Sequence, residues 1–382
     1  MANECARGAL RGEEERIFDL AAETCTPRQW AGLMQPFLEH ATGRGHEHLT
    51  RKLVEAGAEI GTAVHAAVRG GHCEITEFLL ESGASASASD EEGLTPLHVA
   101  AQADRGEIAR LLLLRGVDQD SSSYEGRTPL NCAACLGHAG VAEVLLSAGA
   151  DINRRYGDRE ISALDIGAGE GHVDFIRTLI EHGADVNATN YGGVAALHHA
   201  TANNKVEAMD VLLRAGANAR SMSESGHTVL HMAAITRTRT EAATLAVLLK
   251  HGADVNAQTV RGTSVLEYVA TRAGKQGIVE VVDLLLRWGA DETHVAGNGM
   301  RAADVIGMKV PEEDRIPEEF EGVRKLLANA PADRAWRRRR SLVLCRAQPD
   351  RVQLSSDGIA RLEARVLGLV EEGIFRTIVT FI

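Results

Sequence analysis

Three residues of the stretch "PLNCAACLGH" could bind a metal. Cys132, Cys135 and His138 follow one another at three-residue spacing, and thiolate and imidazole are the usual zinc donors. The same C-x-x-C at a helix start could be a redox dithiol. No second C-x-x-C completes a four-ligand zinc site. His46–Glu47–His48 stops short of H-E-x-x-H because position 50 is Thr, and "GAGEGH" from Gly167 fails G-x-G-x-x-G at His172. His65, His98, His198 and His231 stand at one recurring position, where structural hydrogen bonding is the expected role. No G-x-S-x-G, phosphate loop or separated carboxylate pair accompanies them. The residues that could do chemistry therefore point to no enzyme, cofactor or metal.

The elements that must position these residues are repeated. A Gly-Ala dipeptide or near variant begins at Gly57, Gly83, Gly116, Gly149, Gly183, Gly216, Gly252 and Gly289, at intervals of 26, 33, 33, 34, 33, 36 and 37 residues. In most copies a Thr, Ser or Ala lies 21 residues upstream, at Thr62, Thr95, Thr128, Ser162 and Ala195. "TPLHVAAQADRGEIARLLLLRGVD" and "TPLNCAACLGHAGVAEVLLSAGAD" are the clearest copies. Thr is suited to cap the first helix, and Pro at the next position loses no needed donor. Leucine pairs such as Leu145–Leu146 and Leu212–Leu213 give the second helix an apolar stripe. The closing Gly permits the left-handed residue that ends it. One such unit cannot cover its own apolar face, so stacked copies must supply the core.

Motif, period and position together resemble the ankyrin repeat family, over roughly Pro36 to Leu327. The resemblance implies an all-α solenoid of stacked helix-turn-helix units. About eight or nine are expected, with Pro36–Gly57 shortened and the copies from Ser264 and Arg301 looser. Thr228 to Gly252 spans 24 residues and Ser264 to Gly289 spans 25, which puts the extra residues in "TRTRTEAA" and "TRAGKQG", between the two helices. In this frame Cys132 takes the slot of Val99, His199 and Met232, and Cys135 that of Gln102, Ala202 and Ile235. His138 belongs to a "GH" turn repeated at His46, His72 and His172. Small residues on a repeat helix explain the cysteine pair better than a metal clip.

The chain has 382 residues, 45% hydrophobic, with a formal charge of −12. Ten Arg against six Asp or Glu make residues 331–382 basic, leaving the rest strongly acidic. An acidic body argues against nucleic-acid binding except through Arg337–Arg340. Six cysteines over this length make no disulfide framework. "MANECARGAL" lacks the apolar region of a secretory signal, and no apolar run reaches a bilayer-spanning length. A cytoplasmic, possibly nuclear, monomer that contacts no membrane is expected.

Three divisions follow: residues 1–35 as an N-terminal half-repeat or cap, 36–330 as the array, and 331–382 as a basic then apolar tail. Residues 358–382 carry two apolar stripes expected to fold back as a helical cap. The segment at Arg337–Arg340 reads as a nuclear import signal, a phosphate-binding patch or a solvated helix face. "WRRR" with the terminal "EEGIFRTIVTFI" resembles ankyrin repeat proteins of brown algae and related stramenopiles. The ending also resembles an F-box helix without its Pro.

The resemblance implies a concave binding face made of turn tips and first-helix residues. Tip positions are Glu91, Glu92, Tyr124, Glu125, Arg127, Tyr191, Glu224, His227 and Arg261; first-helix positions are Gln102, Leu136, Asn203, Ile235 and Arg272. The resemblance also offers Asn153, Asn187 and Asn256, which end L-x5-D-[VI]-N, as hydroxylation candidates, although Asp and Asn shape such turns without modification. The reading is a non-catalytic scaffold or adaptor that binds another protein. The alternatives are a nucleic-acid-binding regulator using the Arg-rich tail and a ubiquitin-ligase adaptor docking through its C-terminal helices.

Overall fold

Most copies open on a hydroxyl or histidine cap. In the computed structural model, which describes residues 27–235 and 241–330, Thr128 Oγ accepts from the Asn131 N–H at 3.3 Å while Asn131 Oδ1 accepts from the Thr128 N–H at 3.0 Å. Ser162 with Asp165 and Ser264 with Glu267 form the same reciprocal box. Such a box satisfies two orphan donors at once. Ala195 has no hydroxyl, so its copy keeps half of the box, Ala195 N–H to His198 Nδ1 at 3.0 Å.

The helices so started are short and paired. They are α1 (Pro27–Arg44), α2 (Glu47–Glu55), α3 (Ala63–Gly70), α4 (Cys73–Glu81), α5 (Pro96–Gln102), α6 (Gly106–Leu114), α7 (Pro129–Leu136), α8 (Ala139–Ser147), α9 (Ala163–Glu170) and α10 (Val173–Glu181). Then come α11 (Ala196–Ala202), α12 (Val206–Arg214), α13 (Val229–Ile235), α14 (Glu241–Lys250), α15 (Val265–Ala270), α16 (Ile278–Arg287) and a helix, α17, over residues 317–330. Strands β1 (Arg155–Tyr156) and β2 (Ile161–Ser162) pair antiparallel in one enlarged tip. All eight expected glycines take positive φ, from 81° to 97°.

The chain divides into two units, residues 1–191 with 214–216, and residues 192–213 with 217–382. In the first, α3, α5, α7 and α9 pack in succession, and α2, α4, α6, α8 and α10 form a parallel layer behind them. Leu97, Leu112, Leu130, Leu145 and Leu179 are fully buried between the layers. In the second, α11, α13 and α15 stack, α14 packs on α16, and Leu212, Leu248 and Leu285 are fully buried. Gly167 shows why this repeat tolerates a helical glycine: an added Cβ would lie 2.9 Å from the ring of the fully buried Phe175.

Two expectations shift. Helix α1 runs across residue 36, where the array was read to begin, and holds Pro36 in its interior. Downstream, the looser copy expected from Arg301 does not open on a helix: "AADVIG" lies within residues 301–310, which form turns. Their backbone is drawn onto the preceding copy instead: Gly307 N–H donates to Ala270 O at 2.9 Å and Lys309 N–H to Thr271 O at 2.9 Å. The extra residues of "TRAGKQG" lie between α15 and α16, and Ile316 N–H donates to Gly274 O at 2.7 Å. Glu319 in α17 caps α16 through the N–H groups of Gly277 and Val279. Residues 1–26 of the expected N-terminal cap, loop residues 236–240 and the whole tail from 331 lie outside the described residues.

Candidate protein-binding surface

The tips are built from Asx turns. Asp90 Oδ1 accepts from the N–H groups of Glu92 and Leu94, both at 2.9 Å, and Gly93 turns the chain with φ 76°. Glu91 and Glu92 are left exposed. The next tip is bonded to this one, because Tyr124 N–H donates to Glu92 O at 3.3 Å. Its side chain is 79% exposed. Glu125 and Arg127 form an ion pair at 3.0 Å, and the Arg127 guanidinium lies 5.7 Å from the centre of the Tyr156 ring. Glu92, Tyr124, Glu125 and Arg127 thus belong to one patch. At the helix end, Gln102 is half-buried and Leu136 is 53% exposed. Tyr191, 72% exposed, carries a phenol raised above the usual tyrosine range by its hydrogen bond to Glu160.

In the second unit, Glu224 N–H donates to Gly192 O at 2.9 Å and its side chain is exposed. Asn203 is exposed at the end of α11. His227 and Arg261 open onto one cleft of about 430 Å³, whose wall includes Glu267, Tyr268, Met300 and Lys309. Arg272 is spent within the chain, its guanidinium donating to Ala234 O. The side chain of Ile235 lies outside the described residues.

Three of the four recurring histidines join one copy to the next. Nε2 of His65, His98 and His231 lies 3.0, 2.9 and 3.1 Å from the carbonyls of Leu94, Arg127 and Thr263 in the following tips. Nδ1 of His98 accepts from the Thr95 N–H at 3.1 Å, which fixes a neutral ring with its proton on Nε2. Burial lowers the basicity of His98, His198 and His231, the last two to about 4. The "GH" histidines reach backward: Nε2 of His72, His138 and His172 lies 3.1–3.2 Å from the carbonyls of Gly43, Gln102 and Cys135.

That geometry separates the apparent metal clip. His138 is committed to Gln102 O, Cys132 is 3% exposed and receives a weak hydrogen bond from Gln102 Nε2 at 3.9 Å, and burial pushes its thiol up to about 12. Burial also raises Cys135. Among the described residues no three His, Cys, Asp or Glu side chains group as a metal site.

Family models for ankyrin repeats match residues 38–123, 86–156 and 197–295, and a second ankyrin model matches residues 164–213. The chain belongs to the ankyrin repeat family. Similar curated proteins include the probable E3 ubiquitin-protein ligase XBOS33 of Oryza sativa subsp. japonica, 43% identical over 19% of this chain and 14% of that protein. Ankyrin repeat and SOCS box protein 16 of Homo sapiens is 37% identical over 26% of this chain and 21% of its own length. BCL-6 corepressor-like protein 1 of Homo sapiens is 32% identical over 22% and 5%. The chain thus spans about a fifth or less of these relatives. Ankyrin repeats are protein-interaction modules, and no helix among the described residues is long and apolar enough to cross a membrane.

Within the ankyrin frame, the hydroxylation candidates lie in turns between copies. Asn187 Nδ2 donates to Gly216 O at 3.0 Å, and Asn256 donates to Gly289 O at 3.2 Å while accepting from Asp291 N–H at 2.8 Å. Asn153 is exposed in its Asx turn. Sequence reasoning missed Tyr156, Glu267, Tyr268 and Lys309. The 34-residue interval between Gly149 and Gly183 marked the enlarged tip that holds Tyr156. Glu267, in the slot filled by histidine in four other copies, was visible as a departure from the repeat.

Proposed function

We propose that this ankyrin array is a non-catalytic adaptor that holds a partner protein on its turn tips and first-helix ends. The observation that carries this reading is the pair of largely exposed tyrosines, Tyr124 and Tyr191, on ordered tips. Tyrosine brings large contact area at little entropic cost, and exposure on a fixed tip leaves that area available to a partner. Affinity capture with the full chain tests the proposal. Replacing Tyr124 and Tyr191 together with Ala should reduce recovery of the captured protein roughly tenfold or more without changing the melting temperature. Undiminished recovery would remove these tips from the binding face.

A ubiquitin-ligase adaptor role is the narrower reading, supported by relatives whose names carry a SOCS box or ligase activity. It predicts that the captured protein becomes ubiquitinated in a reconstituted reaction only when the full chain is present. Ubiquitination at the same rate without the chain would leave the plain adaptor.

A further inference from the structure

The cleft between the later tips contains a buried acid with unfinished chemistry. Glu267 is 3% exposed, and its Oε2 accepts from the Ser264 N–H at 2.7 Å. Its other carboxylate oxygen, Oε1, is buried and has no hydrogen-bond partner among the described residues. A buried carboxylate in this state calls for a donor, and a charged donor answers it best. The cleft it lines is open and large enough for a side chain.

A second copy shows what this slot accepts. Asp165 occupies the position equivalent to Glu267, is 2% exposed, and has the Arg155 guanidinium 3.7 Å from Oδ2. Beside Glu267 stands Tyr268, with the ammonium of the exposed Lys309 lying 4.3 Å from its ring centre. The ring face is therefore already used for a cation, held by a long side chain that can swing away. A guanidinium suits the combination, since its planar fork can donate to a carboxylate while its face lies on an aromatic ring.

We infer that this cleft is an anchor for an arginine side chain of the bound partner, with Glu267 accepting from the guanidinium, which lies on the Tyr268 ring in the place that the Lys309 ammonium holds in the free chain. The inference rests on the protein-binding reading above and specifies the partner's chemistry. Arg261 and Lys309 at the rim set the cost of admitting a cation, so the anchor is selective for a side chain long enough to pass them.

Met300 lines the cleft and offers a reporter methyl group. The full chain, labelled at its methionine methyls, is titrated with N-acetyl-arginine methylamide, with the neutral isostere N-acetyl-citrulline methylamide, and with N-acetyl-glutamate methylamide. The Met300 signal should move saturably with the arginine probe and at least tenfold more weakly with citrulline. Glu267→Gln keeps the capping acceptor and should weaken the arginine probe tenfold or more at an unchanged melting temperature. Lys309→Met should strengthen it. Equal affinity for arginine and citrulline, preference for glutamate, or full binding by Glu267→Gln would overturn the inference. The titration needs no partner, so a chain that fails it but still captures its partner through Tyr124 and Tyr191 loses the anchor and keeps the adaptor role.

Discussion

Asp165 and Glu267 stand at the same place in two copies, and each reaches back to the N–H of its own cap. What lies beyond them differs. Asp165 has a guanidinium brought to it by the β1–β2 tip, because Arg155 is fixed there by a 2.7 Å hydrogen bond to Glu160 O. Glu267 has no such tip and faces a cleft. In the His98 copy the problem does not arise, since a neutral ring both accepts from the cap and donates to the next tip. One position of the repeat is thus filled in three ways, and the acidic ones call for a cation from elsewhere. The enlarged tip is the part that equips the first unit with its own.

The largest effect expected from this comparison is on acid stability. His198 and His231 have basicities lowered to about 4, against 6.5 in the unfolded chain. Between those values the unfolded state binds protons that the folded state refuses, so their stabilisation is complete above pH 6.5 and is lost as pH falls towards 4. Each histidine accounts for about 3 kcal/mol over that window. Urea unfolding followed from pH 7 to 4 should show the loss, and His231→Asn, which installs the cap found naturally at Asn131, should remove its share. A profile unchanged by that substitution would contradict the assignment of a neutral buried ring.

Next in size are the packing contacts common to all copies. Leu145→Ala and Leu212→Ala should each cost about 2–5 kcal/mol, whereas Tyr124→Ala and Glu224→Ala should stay within about 0.5 kcal/mol. Chemical denaturation of the four variants decides the register of the repeat. The smallest and sharpest contrast sets the two acidic copies against each other. Arg155→Ala removes the cation beside the buried Asp165 and should cost roughly 1–3 kcal/mol, while Lys309→Met removes a cation stacked on an exposed edge and should cost well under 1 kcal/mol. Equal losses would mean that Lys309 serves Glu267 as Arg155 serves Asp165.

The copies themselves were legible because each rests on local chemistry. Thr128, Pro129, the Leu145 stripe and Gly149 act within one 33-residue unit, and their types state their roles. The last copy was not legible in the same way. "AADVIG" has helical composition, but its backbone is captured by Ala270 and Thr271, a competition no pattern within the segment reveals. Among the candidate surface residues, Tyr124 and Tyr191 stand exposed where the frame puts tips. Arg272, assigned to the same face, is bound to the carbonyl of Ala234. The frame fixes where a side chain starts; its long arm is free to find a partner in the neighbouring copy. The cleft escaped notice for a related reason, since Tyr268 and Lys309 meet only after residues 301–310 fold back.

The fasteners between copies carry a further consequence. Asp120 accepts from Asp151 N–H, Asn187 donates to Gly216 O, Arg220 to Gly252 O and Asn256 to Gly289 O. The side chain is Asp, Asn or Arg, yet in these four copies it reaches forward from the same turn to backbone that any sequence would present. Each of these four copies therefore carries one half of a joint whose other half is generic. A segment duplicated in frame would arrive able to grip its successor and be gripped by its predecessor, whatever its surface residues. An array joined in this way can lengthen by simple tandem copying and let its faces diverge afterwards.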